Sequence, residues 1–178
     1  MHWRNEPKRW THRDGVLEAT ADGDTDFWHT TGYGYVRDSG HLYGEPVPGD
    51  VTVSARVEGA YQDQYDQAGV MAWVDRDHWL KAGVELFDGR LRLSTVVTIG
   101  HSSWAFSTLP EGTSTIWLRM RRKSEAVEVH YSLDGEAYEL ASLVYLPADR
   151  EALVGVMCAA PEGGGFAVSF QDVAVEPA

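Results

Sequence analysis

The sequence predicts an all-β chain, either two sheets packed face to face or a closed barrel. Three features carry this reading. Apolar and polar residues alternate with period two over most segments, Asp-Gly and Pro/Gly turns separate them, and nothing longer than one turn has helical spacing. In chain order the alternation predicts strands at 16–20, 27–30, 51–58, 69–74, 79–87, 91–98, 103–108, 115–122, 126–132, 137–143, 152–159 and 166–175. Asp14-Gly15, Asp88-Gly89, Pro110-Glu111-Gly112, Asp134-Gly135 and the run from Pro161 to Gly165 punctuate them. Asp88-Gly89 and Asp134-Gly135 are hairpin signals, because Asp and Gly tolerate the positive φ of tight turns. One short helical turn is expected at Asp149-Arg150-Glu151, and only the first residues and Pro177-Ala178 are expected to be loosely held.

Alternation also predicts the two faces of each strand. Leu80, Ala82, Val84 and Leu86 share one face, and with Leu91/Leu93, Ile116/Leu118/Met120, Val154/Val156/Cys158 and Phe166/Val168/Phe170 they fill the space between the layers. Trp79, Lys81 and Glu85 share the other, so that face is expected to meet water or a ligand.

The 178 residues are expected to form one domain, 1–178, with 43% hydrophobic and 24% charged residues. A net charge of −12 argues against nucleic acid and anionic membranes, and the run Arg119, Arg121, Arg122, Lys123 reads as a solvated strand face. The single Cys158 reads as an inert core residue and rules out an intramolecular disulfide. With no apolar segment of transmembrane length and a polar, aromatic start, a cytoplasmic location is expected.

The motifs TDFWHTTGYGYVRDSGH at 25–41, YDQAGVMAW at 65–73, HWLKAGVE at 78–85, STVVT at 94–98, SSW at 102–104 and GVMCAAPEGGGFAVSFQDV at 155–173 resemble the DUF1349 family of YesU-like and regulation-of-enolase-like proteins. The resemblance implies a jelly-roll sandwich of the concanavalin A-like lectin/glucanase class and carries no established activity. Where that family's pattern often has Asp before the Trp, this chain has Ser103.

Catalytic and metal motifs of such folds are missing. Glu85/Asp88, Glu125/Glu128 and Glu136/Glu139 are each three apart, unlike the same-face carboxylates of retaining glucanases. No His-x-His occurs, and Asp22, Asp24 and Asp26 lack the following Gly and distal Glu of a calcium loop, so no metal and no cofactor are expected. The candidate ligand-binding residues are Gln67, Trp73, Lys81, Glu85, Thr98, Trp104, Arg119 and His41. Amide, ammonium, carboxylate and hydroxyl groups beside indoles suit a sugar, whose hydroxyls need such partners and whose C–H faces stack on Trp. The expected function is non-catalytic, lectin-like binding of a small sugar or sugar derivative. The alternatives are a carbohydrate-active lyase or hydrolase, with Glu85 or His41 as base and Lys81 or Arg119 stabilising negative charge, and a protein-interaction module in carbon metabolism with a protein partner.

Overall fold

The computed structural model describes residues 1–178 as sixteen strands without a helix. In chain order these are β1 (His2–Arg4), β2 (Arg9–Arg13), β3 (Val16–Asp22), β4 (Phe27–His29), β5 (Val36–Asp38), β6 (His41–Val47), β7 (Val51–Gly59), β8 (Gln67–Asp75), β9 (His78–Phe87), β10 (Arg90–Ile99), β11 (His101–Thr108), β12 (Thr115–Lys123), β13 (Ala126–Ser132), β14 (Glu139–Tyr145), β15 (Ala152–Ala159) and β16 (Gly165–Pro177). Two antiparallel seven-stranded sheets, β1-β6-β15-β8-β9-β10-β11 and β14-β13-β12-β7-β16-β3-β2, form a jelly-roll sandwich. β4 and β5 make a separate two-stranded ribbon.

The predicted inward residues meet between the sheets. Leu80, Ala82 and Val84 pack with Val53, Val57, Ile116, Leu118, Val154, Val156, Phe166 and Phe170 in one core of thirty buried residues. Leu86, at the strand end, is half-buried. Asp88 and Gly89 both take positive φ, 51° and 68°, as a two-residue hairpin turn demands. Asp134-Gly135 belongs instead to a longer connection, where the Asp134 carboxylate accepts from the amides of Glu136 and Ala137.

Several features depart from the sequence reading, among them Pro177, expected to be loose but paired with Val51 at the end of β16. The N-terminal residues are not loose: β1 pairs with β6 and β2 with β3. Trp3, Trp10 and Tyr43 then close that side of the sandwich, with ring centroids 5.0–6.1 Å apart. β6 was hidden by its Gly44 and Pro46. Pro46 is tolerated because β1 covers only Leu42 to Gly44, so β6 is an edge strand where the proline sits. Residues 149–151 form a bend and no helical turn. Arg122 is buried, not solvated: parity with Ile116, Leu118 and Met120 turns it inward, and it donates to the carbonyls of Pro147 and Arg150 at 2.5 and 3.0 Å.

Residues 24–40 leave β3 in one sheet, cross the outer face of the other, and return as β6. Phe27 and Trp28 from this cap pack on Leu42, Met71, Trp79, Val96, Met157 and Ala159, making a second, smaller core. The face expected to meet solvent is therefore mostly covered, and Lys81 and Glu85 are only 5% and 6% exposed.

Candidate functional site

The cap is fixed at several points. Lys81 Nζ lies 3.3 Å from Asp26 Oδ1 and donates to the Phe27 carbonyl at 2.8 Å. Asp26 Oδ1 also accepts from the Phe27 amide at 2.8 Å and from Gln67 Nε2 at 3.4 Å. The His29 amide donates to Ser102 Oγ at 2.9 Å, and Ser102 is 2.7 Å from Thr98 Oγ1. Arg4 pairs with Asp38 at 2.5 Å and Arg37 with Asp24 at 2.9 Å.

Beside this anchorage the cap leaves a pocket between itself and β8–β11. Asp26, Trp28, Tyr33, Tyr35, Tyr65, Gln67, Lys81, Glu85, Val96, Trp104 and Pro161 line it. With the cap down its free interior is only about 30 Å³, room for one or two waters and well below the roughly 300–1,000 Å³ of ordinary ligand sites. Tyr33 and Tyr35 stand exposed at the rim. Trp104 continues the aromatic wall outward to Phe87 and Phe106, each 4.9 Å away by centroid.

Glu85 is the least compensated charge here. Its Oε2 accepts from Trp104 Nε1 at 3.0 Å, and the Ser94 hydroxyl hydrogen-bonds the same carboxyl. Burial raises its pKa above the ordinary 4.5, against the lowering influence of Lys81 and of those hydrogen bonds. Between Lys81 and Glu85 the floor is Gly83, which faces Gly69 across the strand pair. A Cβ on Gly83 would stand 2.1 Å from the Ala68 carbonyl oxygen, so β8 and β9 meet there backbone to backbone.

Of the sequence-predicted residues, Gln67, Lys81, Glu85 and Trp104 line the pocket together. Thr98 lies fully buried under the cap and supports it through Ser102. Trp73 stands apart from the pocket, beneath the Arg4 guanidinium at 3.8 Å from its ring centroid. His41 is buried in β6, with Nε2 accepting from the Asp22 amide at 3.0 Å and Nδ1 2.6 Å from the Asn5 carbonyl oxygen, a structural role. Arg119 belongs to the opposite sheet, where it stacks on Tyr138 at 4.2 Å. Parity assigns a side to each residue within its own strand, but not the sheet that the strand joins.

Sequence reasoning missed Asp26, Trp28, Tyr33, Tyr35 and Tyr65 as residues lining this pocket. Their signal lay in 25–41, where Gly32 and Gly34 alternate with Tyr33 and Tyr35 and an acid precedes Phe-Trp. Asp22, Asp24 and Asp26 do not converge. Asp22 accepts from the Lys8 amide, Asp24 pairs with Arg37 and Asp26 with Lys81, and no group of three or more His, Cys, Asp or Glu side chains forms a metal-ligand set.

This architecture places the chain among the antiparallel β-sandwich proteins. A carbohydrate binding module from Bacillus subtilis, CBM66, shares the fold at a TM-score of 0.61 and 16% identity, over 98% of this chain and 94% of that one. The chain belongs to the DUF1349 family, whose model, described as a protein of unknown function, matches residues 3–178. It is 38% identical over 170 residues to Regulation of enolase protein 1 of Saccharomyces cerevisiae, covering 96% of this chain and 86% of that protein. The crystal structure of a functionally unknown protein from Saccharomyces cerevisiae superposes with a TM-score of 0.95 at 37% identity, over 99% of this chain and 95% of that one.

Proposed function

We propose that this protein is a non-catalytic, lectin-like binder of a small sugar or sugar derivative, held in the pocket under the cap. The observation that carries the reading is the lining itself. Glu85 and Gln67 sit between the rings of Trp104, Tyr65, Tyr33 and Trp28, so polar groups for hydroxyls stand next to flat faces for C–H stacking. The closed pocket, about 30 Å³, holds no more than a water or two, so a sugar ring enters only as the cap lifts. The fold shared with a carbohydrate binding module is consistent with this reading.

Binding is favoured over hydrolysis by the state of the two acids. A glycosidase needs two available carboxyl groups about the scissile bond, roughly 5–10 Å apart. Asp26 is already committed to Lys81, to the Phe27 amide and to Gln67, which leaves Glu85 alone. We also propose a cytoplasmic location, where small sugar metabolites occur.

The test is a thermal-shift screen of neutral sugars, sugar acids and amino sugars, followed by calorimetry on the hits. A native-state ligand raises the melting temperature by mass action. At least one class should do so, and Trp104→Ala and Tyr33→Ala should each remove the shift. A hit whose shift survives both changes would move the site elsewhere, and a screen without hits would refute sugar binding.

The name of the yeast relative favours a second reading, a protein-interaction module in carbon metabolism. Purified enolase assayed with and without this protein separates the two, since a sugar binder without that role leaves its rate unchanged.

A further inference from the structure

Three charged side chains line the pocket, and two of them neutralise each other. Lys81 and Asp26 form a buried pair at 3.3 Å. Glu85 makes no ion pair, and both groups on its carboxyl, the Trp104 indole and the Ser94 hydroxyl, are neutral. Arg92 is its cross-strand neighbour on β10, but the guanidinium turns away to donate to Thr108 Oγ1 and lies over the Phe106 ring at 5.3 Å. Glu85 is thus a buried carboxyl without a cation, on the wall of a narrow pocket that the cap closes.

Gln67, directly across from Glu85 on β8, adds a second acceptor. Its Nε2 faces the Asp26 carboxylate at 3.4 Å and the Tyr65 carbonyl at 3.1 Å. Both partners are acceptors, so the amide orientation is fixed by the network, and the carbonyl oxygen is left for something else. This end of the pocket therefore offers a carboxyl and an amide oxygen. Both accept hydrogen bonds from a positively charged donor.

We propose that the pocket binds its ligand through a protonated amine seated against Glu85, so that the ligand class is an amino sugar or another aminated sugar derivative. The inference rests on the sugar-binding reading and narrows it. The Lys81 ammonium lines the same pocket and lowers the Glu85 pKa, but it is held by Asp26 at 3.3 Å and so is not Glu85's own counter-ion. The titratable groups around Glu85 are Lys81 on its own strand, Asp26 and Tyr33 from the cap and Tyr65 from the loop before β8, while Arg92 on β10 turns its guanidinium away. Among them Lys81 favours ionised Glu85, while Asp26 and, above all, burial oppose it. An incoming ammonium supplies the missing counter-charge and favours the ionised carboxyl that burial disfavours.

Calorimetry with D-glucosamine, D-glucose, N-acetyl-D-glucosamine and ethanolamine tests this on the full chain. Glucosamine should bind at least about tenfold more tightly than the two uncharged sugars. Glu85→Gln should abolish that preference. The unmodified protein gives an independent readout: glucosamine affinity should rise with pH as Glu85 ionises and fall where the amine loses its own proton, with net proton release on the rising limb detectable by comparing buffers of different ionisation enthalpy. Equal binding of all three sugars would overturn the amine contact and leave the sugar reading standing. Glu85-dependent binding of ethanolamine without any sugar binding would keep the amine contact and overturn the sugar reading. No binding of any probe would overturn both.

Discussion

Lys81 and Asp26 lie 55 residues apart in sequence and meet as a buried pair, with side chains only 6% and 7% exposed. The pair joins the central sheet to the cap that covers it, so its loss should be felt as stability before it is felt as binding. Lys81→Met leaves Asp26 buried without its cation and should destabilise the fold by about 3–5 kcal/mol. Urea denaturation of Lys81→Met, Asp26→Asn and the double variant should show a double loss smaller than the summed single losses by at least about 1 kcal/mol. Additive losses would mean that the two side chains act independently.

Gly83 should not tolerate even one methyl group. The obstructing atom is a main-chain oxygen, so no side chain can move aside and the strands themselves must part. Gly83→Ala is expected to cost about 1–3 kcal/mol by overpacking. Gly89→Ala, at an exposed turn with nothing near its Cβ, is the comparison, since its only penalty is a positive φ of 68°. A Gly83→Ala protein as stable as the parent would show that β8 and β9 are further apart than described.

Two buried groups should give opposite pH dependence. The neutral His41 ring, with its hydrogen on Nδ1, satisfies both of its partners, and burial lowers its pKa below 6.5. The unfolded chain takes up that proton first, so the His41 contribution is whole above about 6.5 and is lost as pH falls through the lowered folded value. Glu85 runs the other way: its contribution is whole below 4.5 and is lost as pH rises through the raised folded value. Denaturation between about pH 4 and 8 should show His41→Gln flattening the fall on the acid side. Glu85→Gln should gain on the parent as pH rises. Curves parallel to the parent for both variants would contradict this assignment.

Cys158 should be silent towards thiol reagents in the native protein. It is fully buried, and burial pushes its thiol pKa far above the usual range, so thiolate is scarce. Labelling by an aromatic disulfide reagent should proceed only as fast as the protein unfolds, and to one equivalent in denaturant. Rapid labelling without denaturant would show that β15 opens locally.

Much of the sandwich was legible because alternation is a local signal. Leu80, Ala82 and Val84 on one side and Lys81 and Glu85 on the other follow from counting along one strand. What covers the second side does not follow, since Phe27 and Trp28 reach it from a segment about fifty residues earlier. The same limit put Arg119 beside Glu85 when its strand joins the opposite sheet. His41 looked like a ligand group because imidazole at a loop-like position suits that role. Its two partners are main-chain atoms of distant residues, Asp22 and Asn5, which no pattern of side chains announces. Gln67, Lys81, Glu85 and Trp104 were found together because the pocket floor is made from neighbouring strands.

The His29 amide donates to the Ser102 hydroxyl, 73 residues away, rather than to a main-chain carbonyl. That hydroxyl is buried and held by Thr98, so the amide is released when the cap lifts, without any strand of the sheet separating. Hydrogen–deuterium exchange at this one amide is therefore set by lifting of the cap, while amides in β8 and β9 wait for deeper openings. The protein carries a native clock for entry to its pocket, readable at a single backbone position without an added label.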